Sequence, residues 1–63
     1  MIVINIVLES KSFREDNIVR YGIDNNVLVL EKNIFDPVKH KQKLITKYYP
    51  LYNILYYEVF REK

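Results

Sequence analysis

The sequence predicts an α+β domain: a small antiparallel or mixed sheet in the order β-β-β-α-β, packed against one main helix. Three observations predict it. The runs "IVINIVL" at 2–8 and "VLVLEKNIF" at 27–35 are dominated by β-branched residues and leucine, with no helical stripe. An Asp-Pro pair at 36 and 37 opens a lysine-rich segment with helical apolar spacing. The segment that follows Pro50 is filled with Tyr, Ile, Val and Phe, all strand formers. At 63 residues the chain has room for one domain, 1–63, and a domain this small buries a limited share of its surface.

Taken in order, residues 2–8 read as a central strand with Ile2, Ile4, Ile6 and Leu8 on one face. The piece "SFREDNIVRYG" supports two readings. Ser12 with Glu15 three residues on, and Gly22 at a C′ position, would make it a short helix and the fold β-α-β-α-β. Its apolar spacing is weak, which favours a strand that turns at Asp24, Asn25 and Asn26 into "VLVLE". Asp36 as N-cap and Pro37 at the first helical position then predict a helix over 38–49, with Val38, Ile45, Tyr48 and Tyr49 on one stripe and Leu44 beside it. Pro50 disfavours helix at Tyr49 and ends it. The remaining "LYNILYYEVF" reads as a strand; the rival is a second helix, in which Tyr48, Tyr52, Tyr56 and Phe60 recur at every fourth position.

Composition narrows the function. The chain has no cysteine, hence no disulfide and no Cys-ligated zinc, and its single histidine argues against other metal sites, so no metal and no cofactor are expected. No catalytic residues are expected either. A nucleophile would have to be Ser10, Ser12, Thr46 or a lysine; His40 sits among lysines; and Glu15, Asp16, Asp24 and Asp36 lack the spacing of a two-acid mechanism. One glycine cannot build a phosphate loop, and no small-molecule substrate is expected. The opening residues lack the features of a secretory signal and no stretch approaches a membrane span, so the expected location is cytoplasmic, with no membrane partner. Alanine is absent while Ile, Lys, Asn, Tyr and Phe abound. That AT-rich codon usage suggests a phage, virus or mobile element, and with it an accessory protein that binds and modulates, or inhibits, a host protein.

Two surfaces carry the candidate functions. In "KYYPLYNILYYEVF" five tyrosines and a phenylalanine crowd fourteen positions, and on a strand Tyr52, Ile54, Tyr56 and Phe60 would face one way, Leu51, Leu55, Tyr57 and Val59 the other. Both faces are apolar, one more than a single helical layer can cover. Tyr48, Tyr49, Tyr52, Tyr56, Tyr57 and Phe60 are therefore expected to meet a host protein or a second copy in a homodimer, tyrosine being stiff, large and able to offer a hydroxyl at a wet rim. The alternative is a small nucleic-acid-binding regulator. Residues 1–37 carry four basic and six acidic side chains, whereas 38–63 carry six basic and two acidic, and Lys39, Lys41, Lys43 and Lys47 fall within the expected helix. Without arginine there, such a helix would track phosphates rather than read bases.

Overall fold

The computed structural model describes residues 1–62 and is built from five antiparallel strands in one sheet, with no α-helix among them. The strands are β1 (Ile2–Val7), β2 (Ser12–Asp24), β3 (Val27–Asp36), β4 (Lys41–Pro50) and β5 (Tyr56–Arg61), and their order in the sheet is β4-β3-β2-β1-β5. The chain therefore meanders through four strands and then crosses back, through a single 3-10 turn at Leu51–Asn53, to lay β5 beside β1.

This overturns the α+β class and its main helix, and the β-α-β-α-β variant with them. Residues 41–50 are strand β4, paired with β3 along its whole length from Val27↔Pro50 to Asp36↔Lys41. Ile, Thr and two tyrosines in "LITKYY" are β-formers, and with a ready-made partner in β3 they follow a period of two rather than 3.6. Asp36 does cap backbone donors, but those of a turn: its Oδ1 accepts from the N–H of Val38 at 3.0 Å and of Lys39 at 3.4 Å. Pro37 begins that turn and His40, at φ 53°, ends it in the left-handed region, which releases the chain antiparallel to its approach.

The favoured hairpin at Asp24 to Asn26 is present. Asn25 and Asn26 have φ of 53° and 62°, the signature of a type I′ turn, with Asp24 paired to Val27. Ser12 and Glu15 belong to strand β2 rather than to a capping box, and Gly22 is an ordinary strand residue with a negative φ.

A single sheet of this size has to cover its own apolar face, and β2 is what allows it. Its pairing slips once against β1, near Asn17 (φ 54°), and once against β3, near Val19. Two bulges so close together bend and twist a strand sharply. The early part of β2, with β1 and β5, then faces the late part, with β3 and β4. The crossing requires the same curl. β4 and β5 are opposite edges, about 19 Å apart in a flat sheet, and residues 51–55 could bridge about 20 Å only if fully extended. Three of them are wound into the 3-10 turn instead.

The concave interior holds Ile4, Ile6, Ile18, Leu28 and Leu30, edged by Ile2, Leu8, Tyr21, Tyr49, Leu51, Ile54, Tyr57 and Val59. Leu51 and Ile54 come from the crossing and close the open side; the Leu51 N–H donates to the Asn26 carbonyl at 3.0 Å and the Leu55 N–H to the Val7 carbonyl at 2.9 Å. Each fully buried aliphatic side chain contributes about 1.5–3 kcal/mol.

β1 is flanked on both sides and buries Val3, Ile4 and Ile6, so the amides of Ile4 and Ile6 are predicted to exchange only through global unfolding, measurable by native-state hydrogen exchange. Fast exchange there would remove β1 from the core. Asp36→Ala is predicted to cost about 1 kcal/mol in urea unfolding by freeing the two turn amides; an unchanged midpoint would mean that the turn holds without its side chain.

Candidate functional site

The six aromatic residues expected at an interface are divided by the fold. Tyr57 points into the concave side and packs on the core, and Tyr49 lies at its margin. Tyr56 and Phe60, on the opposite face of β5, are exposed. Tyr48 is exposed on the outer face of β4, and Tyr52, in the crossing, is 87% exposed. The sheet thus separates the neighbours Tyr56 and Tyr57, and Tyr48 and Tyr49, by strand parity.

Tyr56 and Phe60 stand on an edge strand whose outer backbone groups have no partner strand. Beside them the outer face is hollowed into an open depression lined by Val3, Asn5, Arg14, Phe60 and Glu62. Val3, opposite Phe60 in the β1–β5 register, is only 2% exposed. Arg14 Nη2 reaches Glu62 at 3.5 Å and Asn5 Nδ2 reaches Glu58 at 3.5 Å, so the polar groups around the hollow are paired with one another. Composition offered no signal for this hollow, because its lining comes from β1, β2, β5 and the residue after it, far apart in sequence.

The concave side contains one charged cluster. Glu15, 4% exposed, accepts from Lys32 Nζ at 2.8 Å, from Lys47 Nζ at 3.2 and 3.0 Å through its two oxygens, and from the Tyr49 hydroxyl in a short contact. Lys32, itself buried, also lies 3.6 Å from Asp16. Burial opposes the Glu15 charge, but the bonds from Lys32, Tyr49 and Lys47 and the Lys32 charge outweigh it and hold the carboxyl below its ordinary range. For Tyr49, burial, the bond to Glu15 and the carboxylate's charge all act together, and the phenol is pushed well up. No buried side-chain polar atom among the described residues is left unpaired. With all its oxygens engaged, Glu15 has no free lone pair aimed at solvent, and the cluster has the character of an internal brace. A sequence signal for it exists: Lys32 continues the buried alternation of Leu28 and Leu30, a place for a charge only if it meets a partner.

The four lysines assigned to a helix are redistributed. Lys47 joins the Glu15 cluster; Lys39, Lys41 and Lys43 lie exposed on the turn and outer part of the β3–β4 ribbon, with His40 between them. Among the described residues no three His, Asp or Glu side chains converge as metal ligands would. Ser10 lies in the β1–β2 turn, Ser12 begins β2, Asp24 flanks the asparagine turn, and Thr46 is exposed on β4. Among the described residues no helix is long and apolar enough to cross a membrane.

Comparison of the chain with protein-family models, curated proteins and solved structures finds no match. Neither the fold nor these comparisons support the expected homodimer, the phage or viral origin or the inhibitory role, and the description as a small α+β domain gives way to an all-β sheet.

The cluster gives stability two pH limits. Glu15 has a depressed folded-state pKa, so its contribution is present above the ordinary carboxylate value of about 4.3 and is lost as pH falls through the folded value. Tyr49 has a raised one, so its contribution is present below about pH 10 and is lost as pH rises from there towards the folded value. Urea unfolding from pH 3 to 11 is predicted to give a dome, and Tyr49→Phe to lower it by about 1.5–3 kcal/mol near neutrality while flattening the alkaline limb. An unchanged alkaline limb in Tyr49→Phe would detach the phenol from the brace.

Proposed function

We propose that the protein is a non-enzymatic interaction module that takes an extended segment of a protein partner onto the free edge of β5. The observation that carries this reading is the contrast between the two sheet edges. β4 bears Lys41, Lys43 and Lys47 and ends at Pro50, the devices by which sheets discourage a further strand. β5 reads Tyr-Tyr-Glu-Val-Phe-Arg, with two exposed aromatic rings and no proline.

Strand addition supplies main-chain hydrogen bonds, and alternate side chains of the added segment give specificity. On the outer face those side chains would meet Tyr56, Phe60 and the hollow floored by Val3; on the inner face, the margin of Tyr57 and Val59. The segment that fits carries apolar side chains at alternate positions. A cytoplasmic setting suits this reading, since the fold has no cysteine and needs no oxidising compartment.

The test is selection of binders from a library of extended peptides, followed by chemical-shift mapping. The backbone amides of Tyr56–Arg61 should shift and gain exchange protection. Tyr56→Ala and Phe60→Ala should each keep the fold and weaken binding at least about tenfold. Tyr57→Ala, which removes a ring packed on the core, should instead destabilise the domain by about 3 kcal/mol or more. Shifts confined to Tyr48, Tyr52 or the β3–β4 turn, with β5 unprotected, would sink the reading.

A further inference from the structure

Beyond residues Lys32 and Ile45 the β3–β4 hairpin leaves the sheet. β2 pairs with β3 only as far as Ile18↔Lys32, whereas β3 and β4 continue through Asn33↔Leu44, Ile34↔Lys43, Phe35↔Gln42 and Asp36↔Lys41. From Lys32 to Pro37 this two-stranded ribbon runs on for about 17 Å; its root stays beside the body, where Asn33 and Gln42 line one depression with Met1, Asn17, Ile18 and Val19, and its exposed end carries Val38 to Lys41.

The ribbon also holds all of the protein's net charge. The chain totals ten basic and eight acidic residues, or +2. Residues 33–44 contain Lys39, Lys41 and Lys43 against Asp36 alone, a net +2, which leaves seven basic and seven acidic residues elsewhere. Every salt bridge among the described residues is made by Arg14, Arg20, Lys32 or Lys47. The three ribbon lysines are exposed and make none, and Asp36 turns its Oδ1 towards the turn amides. Lys41 and Lys43, two apart on β4, stand on one face of the ribbon, with Lys39 at its tip.

We infer that the projecting β3–β4 ribbon is a binding site for the phosphate backbone of double-stranded nucleic acid, held through Lys39, Lys41 and Lys43. A major groove about 12 Å wide and 8.5 Å deep admits a two-stranded β-ribbon, and the exposed end of the hairpin, with Lys39, Lys41 and Lys43, is the part presented to the phosphates along it. Lysine without arginine supplies phosphate neutralisation rather than bidentate guanine contacts, so binding is insensitive to sequence. The exposed Phe35 and Val38 invite comparison with a membrane-inserting tip, but tip-first insertion would bury Lys39, His40 and Asp36 along with them. The ribbon belongs to the β4 side of the sheet and the β5 edge to the other, so this inference stands or falls apart from the one above.

Fluorescence anisotropy with a labelled mixed-sequence 20-base-pair DNA tests it. Binding at 50 mM salt should weaken about 40-fold by 200 mM, the slope of about −2.7 that three released counterions give. The variant Lys39→Gln/Lys41→Gln/Lys43→Gln, altered only at exposed positions, should unfold with the wild-type midpoint, lose at least tenfold in affinity at 50 mM salt and show a slope near zero. A control variant, Lys11→Gln/Arg61→Gln, should bind as the wild type does. The inference is overturned if the wild type fails to bind duplex at 50 mM salt, if the triple variant binds undiminished, if the control loses as much as the triple variant, or if phosphatidylserine vesicles are bound while the duplex is not.

Discussion

The Glu15 carboxylate is the point on which the two halves of the sheet close. Tyr49 is level with Leu28 and Ile23 in the β2–β3–β4 register, eight residues from Glu15 along β2. In a flat sheet that offset is roughly 20 Å or more, yet the Tyr49 hydroxyl donates to Glu15 and the Phe13 and Tyr49 rings lie 6.4 Å apart. Only a β2 folded at its bulges brings them together. Buried ion pairs are not in themselves strong sources of stability, since desolvation offsets most of the attraction. Their geometric demand is different: a slip of one residue in β3 would turn Lys32 to the other face, and one in β4 would turn Lys47 and Tyr49, each leaving the buried Glu15 short of donors. The brace therefore selects the register, while Ile4, Ile6, Leu28 and Leu30 supply the bulk of the driving force.

A curled single sheet solves the small-domain problem without a helical layer, and it dictates where function can reside. The concave face is filled by its own side chains and by Leu51 and Ile54 of the crossing. What remains is the outer face, two edges and whatever projects. β4 is guarded by lysines and by Pro50, β5 is not, and the β3–β4 ribbon runs on past its pairing with β2. The binding surfaces thus follow from topology: one is an edge left open by the last strand, the other an over-long hairpin.

Much of this was legible in the residues. The β-branched run of β1, the left-handed asparagines between β2 and β3 and the opposite facing of Tyr56 and Tyr57 each follow from local chemistry. Asp36-Pro37 misleads because its physics is ambiguous: an Asx side chain capping two amides ahead of it, followed by proline, starts a helix or a turn equally well. What decides is the partner strand, a long-range fact. Glu15 misleads for a similar reason, since a carboxylate three residues after a serine is a capping-box signal only if a helix is there to cap. The brace and the hollow beside Phe60 join residues from three or more strands, and no window of the sequence contains them.

The lysines of residues 39–47 show how far charge can be read without a fold. As a run of four they suggest one basic surface. On a strand Lys41, Lys43 and Lys47 share a face, so parity alone would keep three of them together. Curvature then separates them: at the level of Lys47 the sheet bends over Glu15 and the half-exposed ammonium is neutralised by that carboxylate, whereas at Lys41 and Lys43 β3 and β4 have run past their pairing with β2 and both side chains are exposed. One of the four thus holds the fold and three are left to act on something outside it. Outside residues 33–44 the sequence carries basic and acidic side chains in equal number, so its net charge falls within the ribbon.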